Sequence, residues 1–417
     1  MSQKIRQPDG ITLSEANARI AVLSRQPLAP STDREDLDKP VDGDIKVETE
    51  FPRHSVQLML DGQKVSWCGV YEFQQQIGPC TIRMGGIAGV GTHNDHRFKG
   101  YSRRVMDNSA RWMRREGFDV AMLWGISGFY PKFGYAKAFP EPTHTIALRD
   151  AERLVAAAAG RRLRQVDFAD EHLGAVLRMY RQTNAGRIGP ALRDRKYWAP
   201  FRRGKHWGLK VQAKVLLDKA GRPVAYYAYD MAEDATIVEV GYATPVVFAD
   251  LIRAAAEIAL ASRTERITFR LPEDEPLMRF CIPCGLRREV AYRADGGCMV
   301  RMINVTTTLR KIGPLLASRV GGAGRLVIQT NLEGVAFSWS RGEMKVEPLA
   351  RGRSSSGKMA GPGVAMPQWA LAQLVYGYRD VATMVTAGDV EGTRPSLEIL
   401  AAMFPLTPHY FHPIDRF

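Results

Sequence analysis

The stretch that most narrows the possible folds is Ile87 to Ser102, IAGVGTHNDHRFKGYS. Small residues on a strand-like run lead into Arg97-x-x-Gly100-x-Ser102. A basic segment with helical apolar spacing follows, from about Tyr101 to Glu116. Gly117 then ends the helix, and DVAMLWG reads as a strand. Strand, glycine crossover, helix and strand in this order define an α/β unit with its glycines at the strand-to-helix junction. Backbone N–H groups in the first turn of a helix lack intrahelical partners and face the positive end of the dipole, so they can hold a pyrophosphate. Little side chain can stand in the way, which accounts for Gly100 and Ser102, and Arg97 adds charge. Gly89, Val90 and Gly91 would offer strand backbone to an extended arm of the same ligand. The pattern favours a phosphorylated cofactor without saying which, and the same residues would also serve as a tight turn on a basic surface.

At 417 residues the chain exceeds one ordinary core and suits about three domains. A hydrophobic share of 45% with 24% charged residues reads as soluble and globular. No apolar run approaches the roughly 18–20 residues a membrane helix needs, so no membrane partner is expected. The opening MSQKIRQPDG carries no apolar signal core, which points to the cytoplasm. The formal charge of +14 suits a polyanionic cofactor, nucleic acid or anionic lipid. Lys and Arg are scattered, however, without a long basic block or aromatic–basic interleaving, so no nucleic-acid partner is expected. Five cysteines (Cys68, Cys80, Cys281, Cys284 and Cys298) are an odd set that argues for reduced thiols. Cys281 and Cys284 have knuckle spacing, but no second pair completes a tetrahedral site, so buried thiols near a turn are expected and no metal.

Residues 1–50 read as a polar N-terminal tail with one helical stretch, ITLSEANARIAVLSRQ. HSVQLMLDGQ, KVSWCGVYEF and CTIRMGGIAGVGT are strand-like, with Asp61-Gly62 marking a hairpin. With the helix and strand above they make a unit over residues 51–150. Residues 151–298 crudely repeat that rhythm: GLKVQAKVLLD and PVAYYAYDMA pair as strands, VFADLIRAAAEIALASR is a helix and RITFRLP a strand. The RxxG crossover is missing from this second unit. Residues 299–417 add alternating strands in GRLVIQTNLEGVAFSWSRGEMKVEPL, a helical MPQWALAQLVYGY and an aromatic tail, FPLTPHYFHPIDRF. GRSSSGKM, Gly352–Met359, nearly spells a P-loop, but Met359 stands where Ser or Thr is needed, so a flexible Ser/Gly loop is expected.

GVGTHNDHRFKGYS resembles the acetyl-CoA motif of GNAT acetyltransferases, Q/R-x-x-G-x-G/A. FYPKFGYAKA, Phe129–Ala138, resembles their Tyr-x-x-Phe-Gly-Tyr signature, one helix and one strand downstream. CMVRMINV, VIQTNLEGVAFSWSRGEMKVEP and PIDRF are similar to a sterol-carrier-protein-like domain. Together they resemble the enhanced intracellular survival (Eis-like) acetyltransferases, from about His54 onward. The resemblance implies an α/β (α+β) architecture: a catalytic GNAT fold over 51–150, a degenerate one over 151–298 and a sterol-carrier-like domain over 299–417. It also implies acetyl-CoA as co-substrate and a homo-oligomer, a hexamer. The acceptor it implies is an amine: a lysine side chain, aminoglycoside, polyamine or small metabolite. Arg97, Phe98, Lys99, Gly100, Tyr101 and Ser102 fall on its cofactor loop, and Gly89, Val90 and Gly91 on the strand that hydrogen-bonds pantetheine. Gly125 and Ile126 fall on a further cofactor contact, in place of a polar pair common in relatives. Tyr130 falls on the general acid, and the carboxylate of Phe417 on the general base.

That chemistry can be checked against residue properties. A neutral amine attacking a thioester needs a base for its proton and a donor near the departing sulfur. Tyrosine, with a reference pKa of about 10, suits a thiolate of similar basicity. A terminal carboxylate, at about 3.5, is a feeble base unless burial raises it or water relays the proton. Tyr130 could instead pack between Phe129 and Phe133, with Tyr135 as the rival acid, and Phe417 could be an apolar plug. His93, Asp95, His96 and Glu72 are further acid–base candidates. The alternative function is lipid binding on a vestigial GNAT fold, to which the apolar face of WALAQLVYGY would contribute.

Overall fold

The computed structural model describes residues 29–33, 36–157, 163–193, 201, 209–233, 236–349 and 363–417. The expected N-terminal helix and the Gly352–Met359 loop lie outside the described residues. Strands β1 (Ile45–Glu50), β2 (Arg53–Leu60), β3 (Gln63–Ile77) and β4 (Cys80–Thr92) run antiparallel. Helix α1 (Tyr101–Arg115) then crosses over, and β5 (Val120–Trp124) returns parallel to β4. Asp61 and Gly62 both take positive φ, 49° and 78°, in the two-residue turn that pairs Leu60 with Gln63. Such a turn matches the twist of the strands it joins, which is why Asp-Gly was a usable signal. Helix α1 buries Val105, Met106, Ala110 and Met113 along one stripe, and Gly117 at φ 75° stops it.

The first sheet continues past β5 into Cys298–Met302 and then Ala136–Lys137, while Ile188–Ala191 pairs with β3. A second, seven-stranded sheet is built on Glu141–Ala147, Arg266–Phe269, Thr236–Tyr242, Pro223–Asp230 and Val211–Leu217, with Arg287–Ala291 and Arg164–Asp167 at its edges. A third has five strands, centred on Gly324–Gln329 and Gly334–Ser340. Each sheet is mixed, with a parallel pair among antiparallel ones, and helices flank them. The architecture is therefore α/β (α+β). Glu141–Ala147 pairs within the second sheet and Cys298–Met302 within the first, so the sheets interlock along the chain.

Side chains alternate cleanly along β5. Val120 and Met122 join one apolar core, Ala121 and Leu123 the other. On the first face the core runs without a break into the third sheet, from Met84, Met122 and Val300 to Leu326, Leu371 and Phe404. On the second face Val70, Ile87 and Leu123 pack against α1. Helix Gln368–Val375 is buried all round, and its Gln368 amide meets the Met302 N–H at 2.8 Å and the Gly134 carbonyl at 2.6 Å. Each aliphatic side chain taken wholly from water on these faces contributes about 1.5–3 kcal/mol. The cysteines are all unpaired, four of them buried, and burial pushes the Cys68 and Cys281 thiols up to about 12.

Candidate active site

The site forms where β4 and β5 part. Their parallel pairing covers only Met84–Gly86 against Val120–Met122, whereas β4 runs on to Thr92. Beyond the pairing, Trp67 lies opposite Gly91 and Gly69 opposite Ala88, so Cys68 alone faces both Gly89 and Val90. That is a β-bulge, with Gly89 at φ 59° taking the left-handed conformation its first residue needs. A bulge leaves a residue out of the ladder, and its backbone groups are available to a ligand. Gly91 has a second reason to be glycine: a Cβ there would stand 2.6 Å from the Trp67 ring.

From β4 the chain passes through a single turn, Asn94–His96, into the α1 start. Phe98, at φ 64° and 84% exposed, and Gly100, at φ 77°, put two left-handed residues in three positions. Gly100 is the N-cap; no side chain caps the helix and its first turn holds no acid. The opening N–H groups of α1 therefore face outward with exposed Arg97 and Lys99 beside them, the electrostatics of an anion cradle. His93 and Asp95 are exposed at the rim, and the His93 ring packs on Trp67 with centroids 5.1 Å apart. Glu72 is engaged elsewhere: Arg83 holds both its oxygens, at 3.0 and 2.8 Å, and His54 lies 3.5 Å away.

Tyr130 begins a single turn, Tyr130–Phe133, beyond β5. Its half-buried ring packs on Phe129 (5.0 Å) and lies over Gly125, where a Cβ would come within 2.1 Å of it. Gly125 thus makes room for Tyr130, and Ile126 beside it is exposed, its carbonyl accepting the Phe129 and Tyr130 N–H groups. Burial raises the Tyr130 phenol above its ordinary value, so it is held protonated. Tyr135, the rival acid, is 1% exposed in the core facing α1, with the Arg301 guanidinium 6.0 Å from its ring.

Phe417 lies on the opposite face. Its ring seats against Gly86, where a Cβ would meet three ring carbons at 2.6 Å, and packs on Trp124 and Phe73 at 5.3 Å each. The adjoining Gly85 faces the other way, its missing Cβ leaving space for Met113 of α1. The paired glycines of MGGIAG thus let the helix close on one face of the sheet and the chain end on the other. The strand-like pattern of CTIRMGGIAGVGT points to neither neighbour.

A cavity of about 660 Å³ opens on the Phe417 side, walled by Trp124, Glu141, Arg270, Arg293, Tyr410 and Arg416 among others. Within it Glu141 is held by Arg293 and by Arg416, the latter at 2.9 Å, and Glu233 pairs with Arg270 at 2.7 Å. The tail that forms this wall is locked from behind. Arg193, wholly enclosed, binds Asp415 at 2.8 Å and Glu239 at 2.6 Å, and the Tyr410 hydroxyl donates to the Arg270 carbonyl at 2.6 Å. Apart from Asp415 and Arg416, which fall in PIDRF, none of these residues carries a local sequence signal. Among the described residues no group of three or more His, Cys, Asp or Glu side chains is placed to hold a metal ion.

A bulged strand, an uncapped glycine-led helix and a parting parallel pair with a tyrosine at its mouth define an acyltransferase scaffold. Residues 44–138 match the Acetyltransferase (GNAT) domain family, and the chain is an acyltransferase enzyme. Solved structures extend the likeness over nearly the whole chain. A conserved protein of unknown function from Enterococcus faecalis V583, a probable N-acyltransferase, shares 16% identity over 88% of this chain and 90% of that one, with a TM-score of 0.68. A GCN5-related N-acetyltransferase from Kribbella flavida shares 18% over 87% of each chain (TM-score 0.65). Eis1 from Mycobacterium abscessus shares 16% over 97% of each (TM-score 0.61). At these identities the likeness is one of fold. No curated protein matches the chain.

Proposed function

We propose that the protein is an Eis-like, acetyl-CoA-dependent N-acetyltransferase acting on an amine. Acetyl-CoA enters on the α1 side, its pyrophosphate on the N–H groups after Gly100 with Arg97, Phe98, Lys99, Tyr101 and Ser102 around it. Its pantetheine runs along Gly89, Val90 and Gly91, and Gly125 and Ile126 flank the thioester. The acceptor amine reaches the thioester from the Phe417 side and attacks its carbonyl carbon. The carboxylate of Phe417 takes the amine proton, directly or through water, and the Tyr130 hydroxyl protonates the departing thiolate. In this scheme the second sheet belongs to a degenerate GNAT unit and the third to a sterol-carrier-like unit that delivers the chain end. The assembly would be a homo-oligomer, a hexamer, in the cytoplasm.

The observation that carries this reading is the placement of Tyr130 and Phe417 on opposite faces of one sheet, at the point where β4 and β5 part. An acid on the cofactor side and a base on the acceptor side is the division that amine acylation requires. Two changes test it: Tyr130→Phe, and a short extension beyond Phe417. Each should lower kcat for thiol release by about 10²–10⁴ while acetyl-CoA binding by calorimetry stays at the native level. Unchanged turnover in both would overturn the assignment of acid and base.

A further inference from the structure

The last three residues of the chain all carry ionisable groups, and the fold draws two of them away from the third. Asp415 is bound by Arg193 at 2.8 Å. Arg416 donates through Nη2 to the Glu141 carboxylate at 2.9 Å. Phe417, 6% exposed, ends in the terminal carboxylate, which meets no cation or hydrogen-bond donor among the described residues. Its surroundings are apolar. The ring packs over Gly86, on Trp124 and Phe73 at 5.3 Å and on Tyr71 and Phe411 at 6.3 Å. A carboxylate so enclosed has little to stabilise its charge and holds a proton more readily than one in water.

The cation nearest along the chain is that of Arg416. A guanidinium beside a carboxylate favours the anion and lowers its pKa by about 1–3, which would leave a feeble base. The Arg416 guanidinium lies instead over Trp124, 5.1 Å from the ring centre, and is drawn to Glu141 at the start of a strand in the second sheet. Burial works to raise the Glu141 carboxyl, but Arg416 and Arg293 hold it below its ordinary range, so it keeps the charge that attracts Arg416. The other groups around the chain end leave the carboxylate alone. Arg293 is on Glu141 and Arg270 on Glu233. β4 and β5 bring only Met84, Gly86, Met122 and Trp124 to this face. β3 adds Tyr71 and Phe73, with exposed Arg53 of β2 6.0 Å from the Tyr71 ring, and burial keeps the neighbouring Cys298 a neutral thiol.

We infer that Glu141 is a positioning residue for the proposed reaction: by holding Arg416 to itself it keeps that guanidinium off the Phe417 carboxylate and so preserves the carboxylate as a base. This rests on the reading of Phe417 as the base and adds what keeps it basic.

The test reads the carboxylate directly, by NMR of the untagged full chain carrying carbon-13 at the carbonyl carbon of phenylalanine. Of the 16 phenylalanines only Phe417 ends in a carboxylate, so one resonance reports it. In the native chain that resonance should move toward the acid form as pH falls from about 8 to about 5, because enclosure lifts the midpoint above the value of about 3.5 for a free chain end. Glu141→Gln keeps the shape and drops the charge. Its midpoint should be lower by about 1 pH unit or more as Arg416 turns to Phe417. Adding Arg416→Met to Glu141→Gln should bring the native titration back, which a merely structural role for Glu141 would not do. A native resonance that stays at the carboxylate position, an unmoved midpoint in Glu141→Gln, or no recovery in the double variant would overturn the proposal. Turnover unaffected by an extension beyond Phe417 would instead remove the base reading beneath it, whatever the titrations show.

Discussion

Asp415→Asn is the sharpest probe of how the chain end is held. Asp415 receives the Arg193 guanidinium through Nε at 2.8 and 3.1 Å and through Nη2 at 2.9 Å, with the Tyr180 hydroxyl at 3.4 Å, all inside the protein. The amide keeps the shape and one acceptor oxygen but gives up the charge. Losing one partner of a buried ion pair costs about 3–5 kcal/mol when the other charge is stranded. Here Glu239 still meets Arg193 through two bonds, at 2.7 and 2.6 Å, so the loss is closer to that of one charge-assisted contact, about 2 kcal/mol. That shifts the balance between seated and released tail about 30-fold, since 1.4 kcal/mol is a factor of ten. Three measurements follow it: thiol release, acetyl-CoA affinity, and the rate at which a carboxypeptidase removes Phe417. Turnover should fall and Phe417 should be cut faster, with cofactor affinity unmoved because the proposed cofactor loop lies on the other face. Native turnover together with native resistance to the peptidase would refute the claim that this ion pair sets the position of Phe417.

Further outcomes follow from the same geometry. Gly86→Ala drives a methyl into the Phe417 ring at 2.6 Å, so it should cost about 1–3 kcal/mol in the denaturation midpoint and depress kcat more than KM for acetyl-CoA. Gly100→Val places a branched residue at φ 77° on the proposed cofactor loop, so it should weaken acetyl-CoA binding by calorimetry and cost about 1–3 kcal/mol in the denaturation midpoint. Burial holds His144, His409 and His412 below their ordinary pKa, His412 furthest, so the fold keeps them neutral. A depressed folded-state pKa gives stability that is full above about 6.5 and drains as pH falls toward the folded-state values, by at most about 4 kcal/mol per pH unit for three groups. Asp415 and Glu239, raised by burial, pull the other way as they protonate at lower pH. Denaturant midpoints measured from about pH 7 down to about pH 5 should therefore fall, and His412→Gln should flatten the slope.

The stretch proposed to bind the cofactor is legible in the sequence because its parts are consecutive. The bulge glycine, the Arg97–Ser102 loop and the α1 stripe lie within one stretch, and each leaves a local mark: a positive φ, a missing side chain, a period of 3.6. The cavity on the Phe417 side is not. Trp124, Glu141, Arg270 and Arg416 come from four distant segments, and no spacing rule brings them together. Gly85 and Gly86 show the same limit within one strand. Small residues were visible there, but the reasons for them, Met113 above and Phe417 below, are contacts that only the folded sheets create. Glu141–Ala147 alternates like any surface strand, and nothing in it says which sheet it will join.

Chain ends usually fray, because few contacts repay the entropy of ordering them. This one does the opposite. Tyr410 to Asp415 are buried without a break, Arg416 is clasped to Glu141, and Phe417 is 6% exposed. Apolar packing alone would account for Phe411, Ile414 and Phe417, but not for Asp415. Enclosing that carboxylate with Arg193 and Glu239 carries a desolvation penalty that well-packed aliphatic residues would avoid. What an ion pair adds over aliphatic packing is register: the guanidinium accepts one arrangement of Asp415, and Phe417 stands two residues further on. A tail that only filled space against Gly86 would not need that register, whereas the base proposed for Phe417, whose carboxylate would have to meet an amine where β4 and β5 part, would need it.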